Sequence, residues 1–164
     1  MFRCVQTSRL SAVKQLAQTL KFSGQVPAGT KLFGENMFGV HSIEYDGLES
    51  AFYLFGVQYP DGRYGSWDEV VALAEATELP TVPTVFQGEV KTAKELQDLI
   101  EQRAAQPSLV SSSTVLPEGF VVRTADGFKH QQFERRVIKY VRANHVQTDD
   151  TWLRTWKKAS IPQR

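Results

Sequence analysis

Leu10, Val13, Leu16 and Leu20 recur at helical spacing behind Ser8, a residue type that caps helix N-termini, and Gly24 and Pro27 close that segment. Beyond Pro27-Ala28-Gly29 the periodicity changes. Residues 31–35, 38–45 and 51–58 read as strands, with Asp46-Gly47 as a turn, so an antiparallel sheet is expected. Pro60-Asp61-Gly62 ends the unit, and Ser66-Trp67-Asp68-Glu69 has capping-box spacing before Val70, Val71, Leu73 and Ala74, which predicts a second helix. Pro80-Thr81-Val82-Pro83 leads as an extended segment to a short strand over Thr84–Phe86. Leu96, Leu99 and Ile100 then share one face of a helix over residues 94–103.

Regularity stops at residues 105–117, where Pro107, Pro117 and the serines at 111–113 predict a flexible insertion loop. After it come a strand over 119–123, a turn at Thr124-Ala125-Asp126-Gly127, a strand over Val137–Val141 and a final helix over Asp149–Lys158. The pattern is α+β, with mainly antiparallel sheets and flanking helices in one domain over residues 1–164, and no internal repeat.

Composition narrows the class. A chain of 164 residues, 41% hydrophobic and 23% charged, suits one soluble domain. No run approaches the roughly 20 apolar residues of a membrane span, and the N-terminal region lacks a signal-peptide core, so no membrane contact and a cytoplasmic location are expected. The single Cys4 makes no internal disulfide, and three histidines (His41, His130, His145) argue against a structural metal site. The net charge of +1 hides a polarity. Residues 32–122 carry four Lys/Arg against fourteen Asp/Glu, residues 123–164 carry ten against four, and residues 1–31 add five bases and no acid. Basic terminal segments either track phosphates or form solvated helix faces.

Glu118 opens an apolar strand directly after a proline-bearing loop, a position where a carboxylate can serve a divalent cation or simply edge the surface. Gly119 permits close approach of backbone or ligand. Alternation puts Val137, Lys139 and Val141 on one strand face and Ile138, Tyr140 and Arg142 on the other. Lys139 between two valines either snorkels or meets a phosphate as a compact point charge. Glu35, after Phe33-Gly34, can accept ribose hydroxyls or sit in a turn. Phe52, Tyr53 and Phe55 pack a core by default, though one ring facing a cleft would stack on a purine. His41, mid-strand beside Ser42, reads as structural.

Taken in order, these stretches resemble the covalent nucleotidyltransferase superfamily of RNA ligases, DNA ligases and mRNA capping enzymes, and within it the ATP-dependent RNA ligase family. Gly34-Glu35-Asn36-Met37 with His41-Ser42-Ile43-Glu44-Tyr45 is similar to the family's third motif, whose glutamate contacts the ribose. Phe52-Tyr53-Leu54-Phe55 resembles the next, in which Phe55 matches the adenine-stacking ring. Glu118-Gly119-Phe120-Val121-Val122-Arg123 matches the fourth, whose glutamate serves metal and reacting phosphate. Lys139-Tyr140-Val141-Arg142 resembles the fifth, phosphate-binding motif, and Asn144–Asp149 looks like a family continuation without an assigned role.

The resemblance spans about residues 8–152 and implies an ATP-grasp-like nucleotidyltransferase fold around an ATP cleft. Its cofactors are ATP and Mg²⁺ and its partners RNA ends, a 5′-phosphate and a 3′-hydroxyl joined through lysyl-AMP. Glu35, Phe55, Lys139 and Arg142 would bind nucleotide, and Glu118 and Lys139 would act in catalysis, with Glu118 on the metal. Two departures accompany it. The fifth motif is usually Lys-x-Lys, whereas Val141 stands at the second position here. No lysine is followed by x-Asp-Gly, the tetrad that carries the nucleophile; Lys21-Phe22-Ser23-Gly24 and Lys31-Leu32-Phe33-Gly34 lack the aspartate. The expectation is an N-terminally incomplete domain that does not adenylate itself, its nucleophile on a missing segment or partner chain, with unpaired sheet edges that lower stability. The alternatives are a non-catalytic nucleotide- or RNA-binding module, or a nucleotidyltransferase of the DNA ligase or capping type.

Overall fold

Phe52–Gln58 (β3) is the strand around which the largest sheet is built. The computed structural model describes residues 11–40, 43–111, 114–143 and 157–161. Ahead of β3 come a helix over Ser11–Ser23 (α1) and strands over Lys31–Asn36 (β1) and Gly39–Val40 (β2). Behind it come Arg63–Tyr64 (β4), helices over Trp67–Ala76 (α2) and Ala93–Ala104 (α3), Gly119–Arg123 (β5) and Phe128–Lys129 (β6). A 3₁₀ turn over His130–Gln132 then leads into Phe133–Arg136 (α4), Val137–Val141 (β7) and Lys157–Lys158 (β8). The strands form a four-stranded sheet in the order β1-β3-β4-β6 and two antiparallel pairs, β2-β8 and β5-β7. The α+β class with antiparallel sheets follows from this arrangement. Among the described residues no helix is long and apolar enough to cross a membrane.

One face of the large sheet packs on α2. Leu54, Val57, Val70 and Ala74 form that core, with Leu32, Phe52, Tyr59, Trp67 and Leu73 around it. Leu54 and Val57 are three residues apart, a spacing that strict alternation would send to opposite faces. A β-bulge reconciles them: Phe33 pairs with Gly56 and Gly34 with Leu54, leaving Phe55 as the extra residue. Full burial of Leu54, Val57 and Val70 stabilises the fold by about 1.5–3 kcal/mol each. A second core joins Leu48, Tyr53 and Ala159, packed by Met37, Val40, Tyr45, Val82, Val110 and Ile161.

Several sequence expectations need correction. Among the described residues the strand expected over 38–45 is limited to Gly39–Val40; Asn36 Oδ1 accepts from Phe38 N at 3.2 Å and turns the chain ahead of it, and β2 pairs with β8 rather than β1. Thr84–Phe86 forms no strand. The pairing occurs earlier and is limited to a parallel bridge between Leu54 and Thr81, flanked by Pro80 and Pro83, which have no N–H to donate. Lys157–Lys158 is strand rather than the end of a helix: Ala159 N donates to Phe38 O at 3.0 Å and buries its methyl in the second core. The rest of that expected helix, together with Ser8, Cys4, His41, Ser42, His145 and the Asn144–Asp149 stretch, lies outside the described residues.

In the 105–117 segment several described residues are hydrogen-bonded: Ser108 N donates to Val115 O at 2.8 Å, Gly47 N to Val110 O at 3.0 Å, and Ser111 Oγ to Asp46 Oδ1 at 2.6 Å. Serines 112 and 113 lie outside the description.

The capping box at α2 is present in full. Ser66 Oγ accepts from Glu69 N, and Glu69 Oε2 accepts from Ser66 N at 2.7 Å. Glu69 also takes both terminal nitrogens of Arg63, at 2.7 and 2.9 Å, tying β4 to the helix start. The Arg63 hydrogen bonds lead in lowering the Glu69 carboxyl to about 2, against a smaller opposing effect of burial. A depressed carboxyl contributes stability that is present above its ordinary value of 4.5 and is lost as pH falls through the folded value. Both side chains are more than a third exposed (39% and 36%), so solvent screening reduces the pair to about 1 kcal/mol. Glu69→Gln keeps a capping acceptor and removes the charge. It is expected to lower the thermal midpoint by roughly 2–4 °C at neutral pH, a deficit that shrinks between about pH 4.5 and about 2. Melting curves across that range check it, and a deficit independent of pH would count against the ion pair.

Candidate functional site

The β5-β7 ribbon positions three of the residues singled out in the sequence. Arg142 N donates to Glu118 O at 2.8 Å and Thr124 N to Arg136 O at 3.0 Å, which extends the pairing one step beyond each strand end. The pleat then places Glu118 and Arg142 opposite one another, on the face that carries the Phe120–Tyr140 and Val122–Ile138 pairs. Lys139 pairs with Val121 on the other face, flanked by the Gly119–Val141 and Arg123–Val137 pairs. The ribbon therefore brings Glu118 and Arg142 together and does not bring Lys139 to them. Gly119 is required by the backbone: a methyl group there would fall on the Tyr140 carbonyl oxygen and lie 3.0 Å from Val141 Cα.

Tyr45 is where separate parts of the chain converge. Its phenol is raised above the ordinary range first by burial and then by the Glu118 carboxylate, with Glu35 adding to the rise. A backbone hydrogen bond with Glu118 and the charge of Arg142 act in the opposite direction. Two carboxylates and a guanidinium, from β1 and from one end of the ribbon, thus bear on one phenol. Tyr45 stands in the stretch similar to the third motif without an assigned role, and its residue type alone points to none. Its position depends on packing against the second core, where Tyr53 Oη accepts from Glu49 N at 2.8 Å and holds the loop before β3. Arg142 is further fixed by donation from Nε to Pro117 O at 3.3 Å.

On β1, Glu35 is exposed and pairs with Tyr53, and Phe33 shares its face. The bulge leaves Phe55 37% exposed, two residues along β3 from the partner of Glu35. Bulges commonly re-aim a side chain beside a functional site. Arg123 ties the ribbon to the large sheet: Nη2 donates to Gly65 O at 2.6 Å, and the guanidinium lies 5.6 Å from the centre of the Phe128 ring. Burial lowers its pKa from the ordinary guanidinium value. Among the described residues no three His, Cys, Asp or Glu side chains converge as a metal cluster. One or two carboxylates beside phosphate oxygens are what magnesium requires, and the Glu118 region meets that requirement in kind.

The RNA ligase family model matches residues 4–141. No curated protein and no solved structure matches the chain significantly.

Gly119→Ala is expected to destabilise the protein by about 1–3 kcal/mol through overpacking. That outweighs the roughly 0.4–1 kcal/mol that a Gly→Ala change can gain from the unfolded chain. Urea unfolding with hydrogen exchange over residues 119–123 and 137–141 checks it. An unchanged midpoint would show that the ribbon is not closely paired at this step.

Proposed function

The chain belongs to the RNA ligase family, and on that premise we propose that it is a nucleotidyltransferase-type domain for the ATP-dependent joining of RNA 5′-phosphate and 3′-hydroxyl ends. In that reaction AMP passes from ATP to a lysine with release of pyrophosphate, then to the RNA 5′-phosphate, and is displaced when the 3′-hydroxyl attacks. The observation that carries the reading is the meeting of Glu35, Glu118 and Arg142 around Tyr45. Two carboxylates and a guanidinium from distant sequence bear there on one phenol, and the proposal assigns them ribose, metal and phosphate roles in an ATP-grasp-like domain.

In this proposal Glu35 accepts ribose hydroxyls and Phe55 stacks on adenine. Glu118 would hold magnesium, which when bound neutralises charge on the ATP phosphates. Arg142, on the Glu118 face, takes the phosphate contact at that end. Lys139, on the opposite face, would meet a phosphate of the RNA. Tyr45, kept neutral by burial and neighbouring carboxylates, orients Glu118 through its backbone hydrogen bond. No lysine of the chain carries the x-Asp-Gly continuation. Loss of an activated nucleophile costs on the order of 10⁶-fold in rate. The chain alone is therefore expected to bind ATP without labelling itself, which is also the behaviour of a non-catalytic nucleotide-binding module.

Incubation with magnesium and ATP labelled on the α-phosphate is expected to leave no acid-labile, alkali-stable label on the denatured chain. A labelled band would show that one of its own lysines is the nucleophile. ATP binding by equilibrium titration is expected to weaken by roughly 5- to 100-fold in Phe55→Ala, the scale of one lost base stack. It should weaken further in Glu118→Ala when magnesium is present. If neither variant changes ATP affinity, the nucleotide-site assignment fails, and a preference for GTP would favour the capping-type alternative.

A further inference from the structure

We infer that the face of the large sheet running from Phe33 through Tyr64 to His130 and Phe133 is a stacking platform for single-stranded RNA. It rests on the RNA ligase reading and adds a substrate-holding surface outside the Glu35, Phe55, Glu118 and Arg142 group. The pairing aligns Lys31, Gln58, Tyr64 and Phe128 in one row across β1, β3, β4 and β6. In the next row Phe33 faces Gly56, and the missing side chain leaves room for the Phe33 ring to reach Tyr64, 5.9 Å away between centres. Glu35 follows on the same face, so the row is continuous with the edge of the candidate nucleotide site.

Tyr64 is the centre of the platform. Beside it, directly across on β6, lies the buried Phe128 ring, 5.2 Å away and tilted by 25°. His130 lies at 6.0 Å and 26°, with its Nδ1 3.4 Å from the Tyr64 hydroxyl, and Phe133 at 5.3 Å. Of these rings only Phe128 is buried. His130 is exposed, Phe133 is 39% exposed, and neither core of the protein includes them. Exposed rings at His130 and Phe133, packed beside the partly exposed Tyr64 and the buried Phe128, suit the faces of bases, which every nucleotide offers whatever its sequence.

The charges beside the rings have the sign that a phosphate backbone needs. Residues 123–142 carry six Lys/Arg against two Asp/Glu. Arg135 and Arg136 end α4, two and three residues after Phe133, and with Gln131, Gln132 and Glu134 they line an open recess of about 490 Å³. Amides and guanidinium groups beside aromatic faces favour a nucleic-acid strand over an apolar protein partner. A duplex, with its bases already stacked, would gain nothing from the rings.

The test uses the full chain and a fluorescently labelled, 5′-phosphorylated single-stranded RNA of roughly 12 nucleotides, long enough for one platform. Phe133→Leu, which keeps an aliphatic contact over Tyr64 and Phe128, and His130→Ala are each expected to weaken RNA binding about tenfold. ATP affinity and the thermal midpoint should stay as in the parent. Arg135→Ala should lower the slope of log affinity against log salt by about 0.7. Three results would overturn the platform: RNA affinity unmoved by both ring variants, blunt duplex RNA competing as well as the single strand, or no RNA binding at low salt. ATP binding indifferent to Phe55→Ala and Glu118→Ala, with the RNA response intact, would instead sink the ligase reading and leave the platform standing.

Discussion

One extra residue in β3 governs what each face of the large sheet can do. With Phe55 inserted opposite the Phe33-Gly34 step, Leu54 and Val57 both enter the core against α2. The alternation after the bulge is reset. Gly56 and Gln58 then fall on the face that already carries Phe33 and Glu35, and β4 and β6 continue that face with Tyr64 and Phe128. Without the insertion, Val57 would leave the core for the face that now carries the aromatic row, since a one-residue slip inverts every side chain beyond it. The apolar core, the exposure of Phe55 and the aromatic face are thus consequences of one local irregularity.

The ribbon of β5 and β7 is held at two ends by different means. At one end Arg123 donates to the Gly65 carbonyl and lies over Phe128, so a half-buried cation fastens the ribbon to the β4-β6 side of the sheet. At the other, Glu118 reaches Tyr45 through its backbone, and Arg142 is fixed on the Pro117 carbonyl. Tyr45 is itself held by the second core, which includes Val110 from the 105–117 segment and Ala159 from the C-terminal strand region. Residues that carry charge at the site are therefore positioned by packing that lies far away in sequence. Partial burial there strengthens each electrostatic contact beyond its value in water.

Local chemistry made much of this legible in advance. The α2 capping box, β1, β3 and the β5-β7 strands are written in Ser66 and Glu69, in alternation and in turn residues, and all are formed. What escaped was set by partners distant in sequence. β4 and β6 are two residues each, too short for any period, and exist because Tyr64 meets both Gln58 and Phe128. The bulge was hidden because Phe52–Gln58 is apolar on both faces, so no polar residue marks the slip in phase. Glu35, Glu118 and Arg142 were visible as residues of suitable chemistry, whereas Tyr45, the residue they share, stood in the third-motif stretch with no role: its place depends on Leu48, Tyr53 and Val110 coming together.

The Arg142 end of the ribbon shows how a departure in sequence can be read through geometry. In the Lys-x-Lys pattern two cations two residues apart share one strand face. Here that face carries Lys139 and Val141, which stand opposite Val121 and Gly119, and Val121 is 60% exposed. The next residue, Arg142, falls by alternation on the face of Glu118, where its charge acts on Tyr45. A fork of planar donors engages two phosphate oxygens in a fixed geometry, whereas a lysine ammonium acts as a compact point charge with rotatable donors. One cation thus lies on each face of the strand, Arg142 toward the carboxylates and Lys139 toward solvent. That division suits a site in which a nucleotide and a nucleic-acid strand approach the same ribbon from different sides.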